Sequence, residues 1–183
     1  MGGADVHRAL ERLAGILEAE KIPYAIVGAM ALNEFGYRRA TVDVDVLLTA
    51  AGLEALKAAC LGRGYLEKFP GSRGLRDTES GVDIDVLITG GFPGDGKPKP
   101  VSFPDPAEAA VRGSRVALLP LPKLIELTLA SGMSAPHRLK DLADVIELVR
   151  AASLSKELAA SLHPYVRDKY LELWLSAQAS EPE

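Results

Sequence analysis

The chain has 183 residues, 48% of them hydrophobic, with a net charge of −4 and only 5% aromatic residues. That size fits one domain with room for a helical extension, and the apolar content is enough for a proper core. The charge balance excludes a global electrostatic pull on nucleic acid, the single cysteine, Cys60, excludes an intramolecular disulfide framework and agrees with a reducing cytoplasm, and no apolar run approaches the roughly 18–20 residues of a membrane span.

The first segment predicts an amphipathic helix over about 4–20 rather than a signal peptide, because Val6, Leu10, Leu13 and Leu17 recur at helical spacing with charges between them. A short apolar run at 24–27 reads as a strand. It ends at Gly28, a small-residue helix follows over 29–35, and Gly36 can close that helix as a left-handed cap. Arg38, Arg39 and Thr41 lead into a strand over 41–48, and a helix over 51–62 turns Leu53 and Leu56 inward. Two short antiparallel strands, around Tyr65–Phe69 and Leu75–Glu79, precede a strand over 82–88. Residues 89–106 are dense in glycine and proline and read as the main loop, a mobile lid beside the site. A short helix near 105–112 and a strand near 114–119 complete the sheet.

From Leu121 onward the pattern is helical. Ser131-Gly132 reads as a helix end and Ser134 as the next N-cap, with Pro136 in the first turn. Leu139, Leu142, Ile146 and Val149 form that helix's expected buried stripe. Residues 155–177 supply one or two further helices with Leu171, Trp174 and Leu175 packed, Trp174 as core rather than ligand platform. The expected organisation is an α+β core over 1–119 and a helical C-terminal region over 120–183 packed on it.

The chemistry concentrates in a pattern that occurs twice: Val42-Asp43-Val44-Asp45-Val46 and Val82-Asp83-Ile84-Asp85-Val86. Residues two apart in a strand share a face, roughly 6–7 Å apart. Asp43 and Asp45 therefore share one face of their strand, and Asp83 and Asp85 share one face of theirs. The opposite faces carry Val and Ile, which suit a half-buried pleated surface, whereas Asp is depleted from strands. Four carboxylates on two strands repel one another, and a bound divalent cation would offset that cost. Oxygen donors suit Mg²⁺. A pair of solvated strand faces would explain one such motif alone.

Upstream of Asp43, Gly28 and Ala29 have little or no side chain, so a phosphate could approach the backbone N–H groups at that helix start, where the dipole favours negative charge. Close helix–strand packing is the alternative use of such a turn. Residues Gly91–Lys97 match the glycine and lysine spacing of a phosphate-binding P-loop, but Pro98, Lys99 and Pro100 follow instead of Ser or Thr and a helix. His7, His137 and His163 are scattered without a cysteine partner, which speaks against zinc. Arg73, Arg76, Lys97 and Lys99 flank the second aspartate strand and could contact an anionic substrate or simply face solvent. Lys140 and Asp144 form an i,i+4 pair, by itself ordinary helix support.

The order of strand, glycine turn, helix and Asp-x-Asp strand, followed by a later carboxylate, resembles the nucleotidyltransferase superfamily, of the DNA polymerase β-like fold. Gly28-Ala29 stands at the family's glycine pair, Asp43 and Asp45 at its Asp-x-Asp, and Asp83 or Asp85 at its third carboxylate. The family pattern favours Asp85, which directly precedes the aliphatic run Val86-Leu87-Ile88. The stretch Phe35–Asp45 looks like the bacterial AbiEii-type and minimal nucleotidyltransferase branches, which include toxin–antitoxin components. The motif resemblance covers roughly residues 22–90 and extends more loosely through Lys140-Asp141-Leu142-Ala143-Asp144.

The resemblance implies a small mixed β-sheet of the nucleotidyltransferase fold flanked by helices, with a helical C-terminal extension. It implies a cytoplasmic, metal-dependent enzyme that moves NMP from an NTP, such as ATP, to a hydroxyl of RNA, protein or a small molecule. Asp43, Asp45 and Asp85 would hold Mg²⁺ or Mn²⁺, with two ions about 3.5–4 Å apart. Gly28, Ala29, Arg39, Thr41, Lys140 and Asp144 would handle the nucleotide, and a cognate toxin or antitoxin is the protein partner it implies. Two departures stand out: Ala29 replaces the usual Gly or Ser, and Thr128 stands where a lysine often sits. A non-catalytic partner or regulator of the same fold is the alternative. A nuclease of another carboxylate fold is disfavoured, because no lysine follows the Asp83-Ile84-Asp85 strand.

Overall fold

The structure, a computed structural model, describes residues 2–179, so Met1 and residues 180–183, the outer ends of the two expected units, lie outside the described residues. In chain order the elements are α1 (Gly2–Ala19), β1 (Ala25–Val27), α2 (Gly28–Glu34), β2 (Asp43–Leu48), α3 (Ala50–Cys60), β3 (Tyr65–Glu67), β4 (Leu75–Asp77) and β5 (Asp83–Ile88). There follow α4 (Pro106–Ala109), β6 (Val111–Arg112), β7 (Ala117–Leu118), α5 (Leu121–Gly132), α6 (Leu139–Ala151) and α7 (Pro164–Gln178). Among the described residues the strands form one seven-stranded mixed sheet in the order β3-β4-β5-β2-β1-β7-β6. β2 runs parallel to β5 and β1 parallel to β7, while the remaining neighbours are antiparallel.

The period-two alternation in β2 and β5 decides which face is covered. Val44, Val46, Leu48 and Ile84 are fully buried. α3 lies on that face, with Gly52 against Leu48 Cβ, and Thr49 caps it by accepting from Gly52 N at 2.9 Å. α1 sends the expected Val6, Leu10, Leu13 and Leu17 into the same core. The aspartates consequently point to the other face, which α2 and the α5–α7 group border without closing.

Several expected boundaries shift for local reasons. β2 begins at Asp43, leaving Val42 76% exposed. The helix expected over 105–112 is the single turn α4, capped by Asp105, and the chain then forms the β6–β7 hairpin, so only Ala117–Leu118 of the strand expected over 114–119 is a strand. Ser134 is not an N-cap: it donates to Ser131 O at 2.7 Å and accepts from Asp95 N at 3.2 Å, while a 3₁₀ turn at Pro136–Arg138 leads into α6. Leu139 is 66% exposed because it opens α6 ahead of the packed stretch, where Leu142 lies against Gly132. In α7 the inward line is Val166, Tyr170, Leu173 and Ala177, so Leu171 and Leu175 face outward, and Trp174 is partly buried with Nε1 donating to Leu154 O at 2.8 Å. No helix of the described residues is long and apolar enough to cross a membrane.

The glycine-rich loop after β5 is tied down. Gly90 and Phe103 N each donate across a short ribbon at 2.8 Å, to Phe103 O and Gly91 O. The Lys99 ammonium is spent inside the loop on Pro93 O, Asp95 Oδ1 and Lys97 O. A Cβ on Gly94 would stand 2.9 Å from Ser131 Cα, so the loop rests on the end of α5.

Candidate active site

β2 and β5 pair in parallel with Asp43 opposite Asp83 and Asp45 opposite Asp85. Strands in a sheet lie about 4.8 Å apart, so the four carboxylates form two rows on one open face. A slip of one residue would exchange these aspartates with Val44, Val46 and Ile84. Burial of those apolar residues therefore fixes the carboxylate register.

The open face carries its own counterions. Arg76, opposite Asp83 on β4, lies 2.9 Å from Asp83 Oδ1. Lys68, just beyond β3, lies 2.9 Å from Asp85 Oδ1 and 3.4 Å from Asp83 Oδ2. Thr41 Oγ1 donates to Asp43 Oδ1 at 2.6 Å. Asp45 is the least solvated of the set. Burial, then the neighbouring Asp43 and Asp85, push its pKa up to about 7, with Arg39 and Lys68 opposing. The donors are all oxygen and suit a hard divalent cation. Among the described residues no three His, Cys, Asp or Glu side chains converge into a ready metal cage; Lys68 shares the Asp83–Asp85 pair instead.

Val27 pairs with Asp45, and the chain turns at Gly28 directly beside that carboxylate. Gly28 has φ +65°, and a Cβ there would stand 2.9 Å from Asp45 Cγ. Glycine is required on both counts. Ala29 is buried and does not line the cleft, so its methyl group belongs to packing.

The cleft beside Asp45 has a volume of about 470 Å³. Gly28, Arg39, Asp45, Phe92 and Thr128 are among the residues that line it. Asn33 of α2 holds the approach to β2 by accepting from Arg39 N at 2.8 Å and donating to Arg39 O at 3.3 Å. Arg39 then reaches α6, where Nη1 donates to Asp144 Oδ2 at 2.6 Å and Tyr37 Oη donates to Asp144 Oδ1 at 3.0 Å. Burial raises the Asp144 pKa, against the lowering by Arg39 and Tyr37. At the far wall Ser131 Oγ donates to Asp141 Oδ2 at 2.6 Å, and Arg138 Nη1 donates to Ser131 Oγ at 3.2 Å. The Nε atoms of Arg39 and Arg138 are buried without a partner.

The structure thus brings together Gly28, Arg39, Asp45 and Asp144 around one cleft, with Asp85 directly beside Asp45 and Asp43 one row away. Thr41 is bonded to Asp43 outside the cleft lining. Lys140 is exposed and does not line the cleft; Asp141, the next residue, does. Of the four flanking cations, Arg73 lines the cleft and makes no ion pair or hydrogen bond among the described residues, Arg76 and Lys99 are engaged, and Lys97 lies away from the lining. Lys68, Asn33, Tyr37 and Arg138 join the site without having been expected there. Lys68 had a usable signal, since it continues the strand parity of Leu66; Tyr37 depends on Asp144, distant in sequence, and the bonds of Asn33 to Arg39 and of Arg138 to Ser131 are local but carry no periodic pattern.

No protein-family model matches the chain, and no curated protein sequence matches it. Solved structures do. The solution structure of the antibiotic-resistance factor ANT(2'')-Ia aligns with a TM-score of 0.60 at 16% identity, over 96% of this chain and 98% of that one. The crystal structure of ANT(2'')-Ia in complex with adenylyl-2''-tobramycin gives 0.55 at 13% identity, over 94% and 98%. An H. pylori chain provisionally assigned as a nucleotidyltransferase gives 0.50 at 14% identity, over 97% and 84%. At such identities the likeness is one of fold: a mixed sheet flanked by helices, arranged as in the nucleotidyltransferase fold.

Proposed function

We propose that the chain is a metal-dependent nucleotidyltransferase that moves NMP from an NTP to a hydroxyl acceptor. The observation that carries this reading is the in-register pairing of Asp43 and Asp45 with Asp83 and Asp85 beside the Gly28 turn, at the head of a cleft. Asp43, Asp45 and Asp85 would hold Mg²⁺ or Mn²⁺, which would supply charge neutralisation on the triphosphate and activation of the attacking oxygen. Gly28 leaves the backbone open to phosphate, and Arg39, Arg73 and Arg138 offer positive charge along the cleft. Asp144 and Asn33 keep Arg39 oriented. Asp85 takes the acceptor's proton as its oxygen bonds to the α-phosphorus and the bond to the pyrophosphate oxygen breaks. Its register opposite Asp45, which lines the cleft, supports Asp85 over Asp83. Catalysis on this scheme is mostly positioning and charge neutralisation.

On this reading a nucleotidyltransferase core over 1–119 carries the aspartates and the Gly28 turn, and a helical C-terminal region over 120–183 brings Arg138 and Asp144 to the cleft. The AbiEii-type branch, and with it a cognate toxin or antitoxin partner, rests on the Phe35–Asp45 stretch. A small-molecule hydroxyl gains support as one acceptor class from the adenylyl-tobramycin held by ANT(2'')-Ia; RNA and protein hydroxyls remain the others. A second reading, a non-catalytic partner of the same fold, is favoured by the Lys68 ammonium on Asp83 and Asp85, where a catalytic site would hold metal. Incubation of the protein with each α-³²P NTP and Mg²⁺ or Mn²⁺ separates the two. Label should pass to an RNA, protein or small-molecule fraction of a lysate, and should not pass with the Asp43→Ala, Asp45→Ala double variant. No transfer from any NTP to any fraction would favour the non-catalytic reading.

A further inference from the structure

The β3–β4 hairpin is built to deliver a cation onto the second carboxylate pair. Leu66 pairs with Arg76 and Arg76 with Asp83, so the three share the open face. Lys68, two residues beyond Leu66, lies opposite Gly74, donating its backbone N–H to Gly74 O at 3.1 Å. Gly74 leaves the space that the lysine stem crosses: a Cβ there would stand 2.6 Å from Lys68 Cδ and 3.3 Å from Ile84 O. Through this gap Nζ reaches Asp85 at 2.9 Å and Asp83 at 3.4 Å. The lysine side chain is 30% exposed, so solvent is open to it if it leaves.

An ammonium and a divalent ion cannot share the same carboxylate oxygens without strong repulsion at such range. We propose that Lys68 is a resident counterion of the Asp83–Asp85 pair, which takes a divalent ion only in exchange for the lysine. This rests on reading the aspartates as the metal-binding set. The lysine relieves the repulsion between the two strands in the free protein and lowers its affinity for metal alone. Lys68 is thus a positioning residue whose removal improves a binding step, which a merely structural role would not do.

The test is Mn²⁺ alone, titrated against the full chain and followed by the free-ion EPR signal. Lys68→Met should bind Mn²⁺ about tenfold tighter than the wild type, the equivalent of ~1.4 kcal/mol. Lys68→Arg, which keeps the charge, should bind like the wild type, and adding Asp85→Asn to Lys68→Met should remove the gain. Melting curves check folding, and Lys68→Gln replaces the Met variant if that one does not fold. Equal or weaker binding by the folded neutral variant, with Asp85→Asn still weakening Mn²⁺ binding, overturns the lysine's role and leaves the metal reading standing. Absence of Mn²⁺ binding in every variant, with and without ATP, overturns both.

Discussion

Gly28 and Asp45 approach so closely that a methyl group on Gly28 would stand 2.9 Å from the Asp45 carboxyl carbon. The same residue has φ +65°, which a side chain also disfavours. Gly28→Ala should therefore cost about 1–3 kcal/mol of stability, and it should displace Asp45 and weaken NTP binding. Urea unfolding and calorimetric titration of NTP check the two effects separately. Wild-type values in both would mean that the turn yields freely.

Asp45 makes stability depend on pH. Its folded pKa is raised from 3.8 to about 7, so the folded chain holds a proton that the unfolded chain releases. The associated stability is full below the ordinary value and is lost as pH rises through about 7. Asp45→Asn should match the wild type near the acidic end and exceed it at alkaline pH by about 2–4 kcal/mol. Denaturant unfolding in metal-free buffer across that range measures this, and a constant difference between the two proteins would exclude the titration.

Asp85→Asn keeps the shape and removes the base. It should lower single-turnover transfer by about 10²–10⁴-fold while leaving melting temperature and NTP affinity near wild type. Asp83→Asn should lose less, because Asp83 stands opposite Asp43, one row away from the cleft that Asp45 lines. A larger loss in Asp83→Asn would exchange the two roles.

Thr128 lines the cleft and spends its hydroxyl on Leu124 O at 2.8 Å. Thr128→Lys would extend a cation into that space, where triphosphate charge is expected. NTP affinity should rise about 5–10-fold, the scale of one modest charge contact. Unchanged affinity and rate would place position 128 away from the nucleotide.

Arg39 and Asp144 join the approach to β2 with α6. A double-mutant cycle with Ala at each position should return a coupling of about 1–3 kcal/mol, because either single change strands a partly buried charge. Independent, additive effects in urea unfolding would show that the pair is dispensable to the fold.

Much of this is legible in the sequence. The alternation of Val and Asp exposes its own face assignment, since burial of Val44, Val46 and Ile84 leaves the aspartates one direction in which to point. The turn at Gly28 was legible because only a residue without a side chain serves both a close approach and a positive φ. Helix edges were not. Ser134 has the chemistry of a cap but serves the loop at Asp95, and Leu171 is a single position off the inward line of α7. Periodicity places a residue on a face, and what waits at that face belongs to the tertiary structure. The same limit hid the Arg39–Asp144 contact, which joins residues far apart in the chain.

The parallel pairing of β2 with β5 also sets an order of events during synthesis. The first aspartate strand emerges from the ribosome well before its partner, and the Lys68 hairpin lies between them in the chain. A nascent chain that stops short of Asp83 has one aspartate strand and no second row, so the paired carboxylate face cannot exist before β5 emerges. By then Lys68, which pairs with Asp83 and Asp85, has already been made. Non-local parallel pairing is slow to form, and a counterion that arrives ahead of the charge it will meet removes one reason for the two strands to stay apart.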